Sequence, residues 1–106
     1  MNNPTKNKNE NIIGSSEIQP KAEGTMAFRI VDRFLGASAS MPFVVHMETL
    51  NEDGSHHGFH NGDYCADMLE SFKALVKRSA KYNLRVLDAQ GNRIAPKAIR
   101  EALVIA

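Results

Sequence analysis

One amphipathic stretch, residues 61–83, constrains the fold more than any other part of this chain. Its apolar residues recur every three or four positions, which is the spacing of one buried helix face. That face carries Cys65, Met68, Leu69, Phe72, Leu75, Val76 and Ser79. Asn61 and Asp63 are suited to accept hydrogen bonds where the helix starts, and Asn83 is suited to the left-handed conformation that ends it. We therefore expect the rest of the chain to pack against this helix.

Short segments of strand-like alternation flank the helix. Strands are predicted at residues 27–35, 43–50, 56–60, 84–87 and 93–95, and a short closing helix is predicted from Pro96 over residues 97–104. The element order is then β-β-β-α-β-β-α. It predicts an α+β fold: a mainly antiparallel sheet of about three to five short strands, one long helix packed across one face, and a short C-terminal helix.

The second predicted strand, residues 43–50, has two faces of different character. Phe43, Val45, Met47 and Thr49 alternate with Val44, His46, Glu48 and Leu50. The first set is expected to face the core. The second set contains a histidine and a glutamate, and it is expected to be half-exposed.

The first 25 residues differ in composition from the rest. They are rich in Asn, Lys, Ser, Glu and Pro, and their large apolar residues after Met1 are Ile12, Ile13 and Ile18. Such a segment buries too little apolar surface to offset its conformational entropy. The sequence therefore predicts a disordered N-terminal tail over residues 1–25 and a single small domain over residues 26–106.

Cysteine content and hydropathy suggest a location for the protein. The chain has one cysteine, so an internal disulfide cannot form, which is typical of reducing compartments. No apolar run approaches the ~18 residues of a membrane span. We expect a cytoplasmic protein that does not associate with membranes.

Charge is distributed unevenly along the chain. Residues 28–70 carry two basic and seven acidic side chains, a net charge of −5, whereas residues 71–106 carry eight basic and two acidic ones, a net charge of +6. The two halves meet within the predicted helix, between Glu70 and Lys73. Such polarity is typical of a surface that binds a second copy of the chain or a partner of one sign.

Four histidines form one candidate site for chemistry. His46, His56, His57 and His60 lie close in sequence, and imidazole is a ligand for zinc and nickel. In a related hydrolytic alternative, Cys65 in the first helical turn would pair with His60. The spacing matches no dedicated metal motif. Solvated histidines in a turn and a cysteine packed as a small apolar residue are the competing interpretations.

A basic stripe forms the second candidate site. Lys73, Lys77 and Lys81 recur every four residues beside Arg78, and Arg85 extends the series. A phosphate backbone binds to stripes of this kind. The helix dipole, however, favours cations at this end of a helix in any case.

Three common motifs of catalysis and cofactor binding are missing from the sequence. It contains no glycine-rich phosphate loop, no nucleophile elbow and no dinucleotide fingerprint. The leading hypothesis is therefore a small non-enzymatic binding or accessory protein without a cofactor, acting through a protein–protein surface as a homodimer. A nucleic-acid-associated protein that uses the basic stripe is one alternative, and a metal-binding or hydrolytic protein that uses the histidines is the other.

Overall fold

The computed structural model describes residues 11–20 and 26–105, which form six strands and two helices. The strands are β1 (Ile12–Ser16), β2 (Gln19–Pro20), β3 (Met26–Phe34), β4 (Phe43–Asn51), β5 (His56–Cys65) and β6 (Val86–Asp88). The helices are α1 (Met68–Lys81) and α2 (Pro96–Ile105).

One antiparallel sheet in the order β5-β4-β3-β1-β6 forms the body of the protein, and β2 pairs with β3 beside β1. Helix α1 contacts five of the strands, and α2 packs against α1. The predicted α+β class with an antiparallel sheet is confirmed. The strand count and lengths differ, because six strands are described and β3, β4 and β5 have nine or ten residues each. Of the predicted fifth strand, only an isolated bridge between Arg93 and Leu87 forms.

The predicted boundary of the domain after residue 25 is wrong for residues 11–20. Strand β1 lies inside the sheet, between β3 and β6. The hydroxyl of Ser16 accepts a hydrogen bond from the Ile30 amide at 2.8 Å. A Cβ at Gly14 would lie 3.2 Å from Leu75 Cδ2, so the small residues of β1 let α1 approach the sheet closely. Residues 1–10 and 21–25 of the predicted tail lie outside the described residues.

The long helix starts later than predicted. Residues 61–65 belong to β5, and the N-cap of α1 is Asp67, whose side chain accepts a hydrogen bond from the Glu70 amide at 2.8 Å. A carboxylate directly before the first helical residue is a common N-cap, and Asn61 and Asp63 lie in β5 instead. The prediction for the other end is confirmed, because Asn83 adopts a left-handed φ of 58°.

The core lies between α1 and the sheet. Its fully packed members are Ile30, Val45, Leu75 and Val86, with Phe72 and Val76 partly buried against them. Ser71 and Ser79 are also buried on this side of α1. The prediction that Met68 and Leu69 belong to the core is wrong, because they are 60% and 36% exposed. Both residues lie in the first turn of α1, at the rim of the cavity described below.

The two faces of the sheet are covered differently. The helix face, on which α1 packs, carries Ile30, Asp32, Val45 and Met47. The open face is the opposite one, and no described helix packs on it. The expectation that Val44, His46, Glu48 and Leu50 on this face are half-exposed is wrong, because each is at most 6% exposed. Longer side chains on the neighbouring strands β3 and β5 contribute to their cover, as the contacts below show.

Candidate functional site

The four histidines do not converge on one site. His46 and His56 lie on the open face, whereas His57 and His60 lie on the helix face beside Thr49, whose hydroxyl is 3.3 Å from His57 Nδ1 and 3.1 Å from His60 Nε2. Within the described residues, no group of three histidine, cysteine or acidic side chains is arranged to hold a metal ion. The structure therefore separates the residues that the metal hypothesis would need together.

Strand β5 has two irregularities, and the one at His57 lies among its histidines and contributes to this separation. Pairing with β4 shifts by one residue between Val45 and Met47, and again between Thr49 and Leu50. Asn61 lies in the first shift with a left-handed φ of 54°, a conformation that Asn tolerates better than most residues. An extra residue reverses the alternation of side chains beyond it. The sequence pattern of the histidines alone does not reveal such bulges.

Glu48 organises the open face. It is 0% exposed, its Oε1 lies 2.5 Å from Arg29 Nε, and its Oε2 lies 2.6 Å from His56 Nδ1. These contacts connect β3, β4 and β5. Arg29 stands directly opposite Glu48 in the β3–β4 register, and an oppositely charged pair at that position is the signal by which the sequence could have revealed the cluster.

Aromatic and basic side chains extend the cluster of Glu48 across the open face. The His46 ring stacks on Phe59 with a centroid distance of 4.0 Å, and the Arg33 guanidinium lies 4.5 Å from the centre of the same ring. The His56 ring lies 4.4 Å from Phe59. Burial, reinforced by the Arg33 charge, lowers the pKa of His46 from 6.5 to about 4. His46 is thus neutral at physiological pH, and the ring behaves as a packed aromatic group.

The basic stripe is only partly available for binding. Lys73, Lys77 and Lys81 are exposed along α1, and Arg85 is exposed beyond its end. Arg78, however, donates a hydrogen bond to the Val45 carbonyl at 2.6 Å and lies 3.6 Å from the Asp63 carboxylate. This arginine anchors α1 to the sheet. Tyr82, the residue after α1, packs edge-on against Phe28 with a centroid distance of 5.0 Å.

A groove of about 850 Å³ runs between α1 and β5. Acidic groups line it at Asp63 and Glu70, basic groups line it at Lys77 and Lys81, and Tyr64 of β5 also lines it. Tyr64 is 61% exposed. The two signs of charge are separated along α1, because Glu70 lies in its first turn and Lys81 in its last. Strand β5 contributes residues both to this groove and to the cluster of Glu48 on the open face.

Cys65 is not positioned as a nucleophile. It is the last residue of β5, it is 3% exposed, and its Sγ lies 3.6 Å from the Asp63 carbonyl. Burial, together with the nearby carboxylate of Glu70, raises the pKa of its thiol. Cys65 precedes α1, so it lacks the position in a first helical turn that would lower the pKa of a thiol. His60 contacts Thr49, which leaves the predicted Cys65–His60 pair without support.

Comparison with protein-family models, with curated proteins and with solved structures finds no match to this chain. None of the described helices is both long and apolar enough to cross a membrane.

Proposed function

We propose that this protein is a small non-enzymatic accessory protein that acts through a protein–protein surface centred on β5, and that a second copy of the chain occupies this surface. The observation that carries the proposal is the position of β5. It ends the strand order of the sheet, and seven of its ten residues are exposed. The outer edge of such a strand offers backbone groups for pairing with a strand of another chain.

The groove beside β5 is suited to pack against the same groove of a second copy of the chain. Across a two-fold axis, each surface patch meets the same patch of the other subunit. Antiparallel α1 helices would then bring Glu70 of each subunit towards Lys77 and Lys81 of the other. Such pairs contribute ~0–1 kcal/mol each and are screened by salt, so they would set orientation more than affinity. The exposed ring of Tyr64 would add the apolar contact that a hot spot needs.

The Glu48 cluster supports the same surface from behind. His56 and Phe59 belong to β5, and Glu48 and His46 on β4 hold them in place. A strand fixed in this way loses little conformational entropy on binding. The bulges at His57 and Asn61 restrict regular pairing to the segments between them. A partner must therefore match the interrupted strand, which opposes indiscriminate aggregation.

The proposal is tested by sedimentation equilibrium at ~10–100 µM protein, a range in which a dimer of moderate affinity assembles. We expect a dimer that weakens when Lys73, Lys77 and Lys81 are all replaced by Glu. Tyr64→Lys should weaken it too, because a lysine on an edge strand blocks pairing. Lys97→Glu on α2 is the matched control and should leave the dimer intact. Adding Glu70→Lys to the Lys77→Glu variant should restore part of the association.

A strict monomer under these conditions, or a dimer that none of the β5 and α1 variants weakens, would contradict the proposal.

The single cysteine favours a reducing, cytoplasmic compartment for this protein, since Cys65 is a buried free thiol.

Nucleic-acid binding is a second candidate, favoured by the exposed row formed by Lys73, Lys77 and Lys81. None of these lysines takes part in the ion pairs found among the described residues. A monomer that binds RNA or DNA, and whose affinity falls steeply with salt, would favour this candidate. Loss of that affinity in the triple Glu variant would assign the binding to the row of lysines.

A further inference from the structure

A second cavity lies at the other end of α1, away from β5. It has a volume of about 340 Å³ and is lined by the first turns of α1, by β1, β3 and β6, and by α2 with the loop before it. Its walls are mainly apolar and include Ile13, Met68, Leu69, Phe72, Leu87 and Ile94. The large exposed fractions of Met68 and Leu69 place two apolar side chains at its rim. A concave apolar site with a few polar groups is the usual form of a small-molecule site.

Asp32 is the polar group that distinguishes this cavity. It lines the cavity, is 3% exposed, and its Oδ1 has no hydrogen-bond partner among the described residues. The hydroxyl of Ser71 interacts with its carboxyl group. The same hydroxyl donates to the Met68 carbonyl at 2.8 Å. A hydroxyl has one proton to donate, so Ser71 cannot fully satisfy both acceptors.

The other acid in the cavity wall is already occupied. Asp88 Oδ1 accepts hydrogen bonds from the Gln90 and Asn92 amides, each at 2.9 Å. No Lys, Arg or His side chain is among the described residues that line the cavity. Burial raises the pKa of Asp32 from 3.8 to about 6. The carboxyl group is therefore mostly ionised at neutral pH, in an apolar cavity whose described wall provides no cation. An unpaired buried charge is costly, and a bound cation would offset that cost.

We infer that this cavity binds a small molecule with an apolar body and one cationic amine, whose ammonium group pairs with Asp32. The apolar walls would contact the body, and the ammonium would supply the hydrogen bond that Oδ1 lacks. The cavity volume is at the small end of ligand sites, so simple alkyl- and arylamines are suitable probes. This site is separate from the β5 surface and does not depend on self-association.

The test is a titration of the full chain followed by NMR chemical shifts, with hexylamine and benzylamine as probes. Hexanol, benzyl alcohol and hexanoate have similar bodies and serve as neutral and anionic comparisons. We expect the amines to saturate the cavity residues at about millimolar concentration or below. The alcohols should bind about tenfold more weakly, because they lack the charge-assisted hydrogen bond. Hexanoate should not bind.

Two variants assign the effect to Asp32. Asp32→Asn removes the charge and keeps the shape, and it should lower amine affinity about tenfold while leaving alcohol affinity unchanged. Asp88→Asn is the matched control, since it removes the other carboxylate of the same cavity but keeps an oxygen for the two amides. It should bind amines as the parent protein does. The spectrum of each variant without ligand shows whether it is folded.

The inference is overturned by any of three results. These are amine affinity equal to that of the alcohols in the parent protein, amine affinity retained in Asp32→Asn, and equal loss in Asp32→Asn and Asp88→Asn. Absence of saturable binding by every probe would overturn it as well.

Discussion

Among the described residues, two carboxylates are buried in the sheet, one on each face, and their surroundings differ. On the open face, Glu48 is 0% exposed, and its two oxygens contact Arg29 and His56. On the helix face, Asp32 is 3% exposed, and its Oδ1 has no hydrogen-bond partner within the described parts of the chain. Glu48 therefore connects strands, whereas Asp32 retains an unused capacity to bind a cation.

Strand register explains the difference. Glu48 stands directly opposite Arg29, so its charge is compensated across the β3–β4 ladder. Asp32 stands between Gly14 on β1 and Val45 on β4, and neither has a side chain that pairs with a carboxylate. Burying a charge is costly unless a partner offsets the lost hydration. Two acids of similar burial thus differ because of their cross-strand neighbours.

The largest expected effect comes from removing the charge of Glu48. Glu48→Gln keeps the size of the side chain but weakens the contacts to Arg29 and His56, and it should lower the free energy of unfolding by about 3 kcal/mol. Urea unfolding near neutral pH measures this change. Glu52→Gln, in the exposed turn after β4, is the control and should stay within about 0.5 kcal/mol of the parent. A loss below about 1 kcal/mol for Glu48→Gln would show that the cluster does not hold the strands.

A smaller effect of opposite sign is expected at Asp32. Its pKa is raised from 3.8 to about 6 in the folded protein. The stability that its protonated form contributes is therefore present below about pH 4 and lost as the pH rises through about 6. Two pKa units correspond to about 3 kcal/mol, and we expect about 2 kcal/mol because nearby solvent screens part of the charge.

Asp32→Asn has no ionisable group, so its stability relative to the parent should increase by about 2 kcal/mol between about pH 4 and pH 8. Urea unfolding of both proteins at the two pH values measures the difference. A difference that does not change with pH would mean that the carboxyl group of Asp32 is compensated in the folded protein.

The smallest expected effect arises from His46, whose contribution to stability changes with pH in the opposite direction to that of Asp32. Its pKa is lowered to about 4, so the stability linked to its neutral form is present above about pH 6.5 and lost as the pH falls towards 4. Arg33 nearby strengthens this shift, and Glu48 counteracts it. Between about pH 7 and pH 5 the contributions of His46 and Asp32 nearly cancel in the parent protein.

Removing one member of this pair should reveal the other. Asp32→Asn should lose about 1 kcal/mol of stability between about pH 7 and pH 5, whereas the parent protein should change little. His46→Gln should reverse the sign and gain stability over the same range. Parallel profiles for all three proteins would refute the opposition between the two groups.

Parts of the fold and of the candidate site could be read from the sequence, and parts could not. The periodicity of α1 predicted the helix, but not that Asp67 would begin it. The central strand β1 was missed because Gly14, Ser15 and Ser16 give no hydrophobic pattern in the sequence. Their backbone groups pair with β3 and β6. The lysines of α1 were correctly placed on its exposed side. The predicted grouping of the histidines was wrong because the bulge at His57 changes which face His56 lies on relative to His60.

By itself, the sequence determined the features that depend on residues a few positions apart. These include the helical period through Leu75, the left-handed end of α1 at Asn83, the start of α2 at Pro96, and the main strands β3 and β4. Tertiary structure alone decided the features that depend on distant residues. Pairing register placed Arg29 opposite Glu48 and left Asp32 between Gly14 and Val45. The physical reason is that the free-energy cost of a buried charge depends on the groups that lie next to it in space. In a sheet those groups belong to other strands.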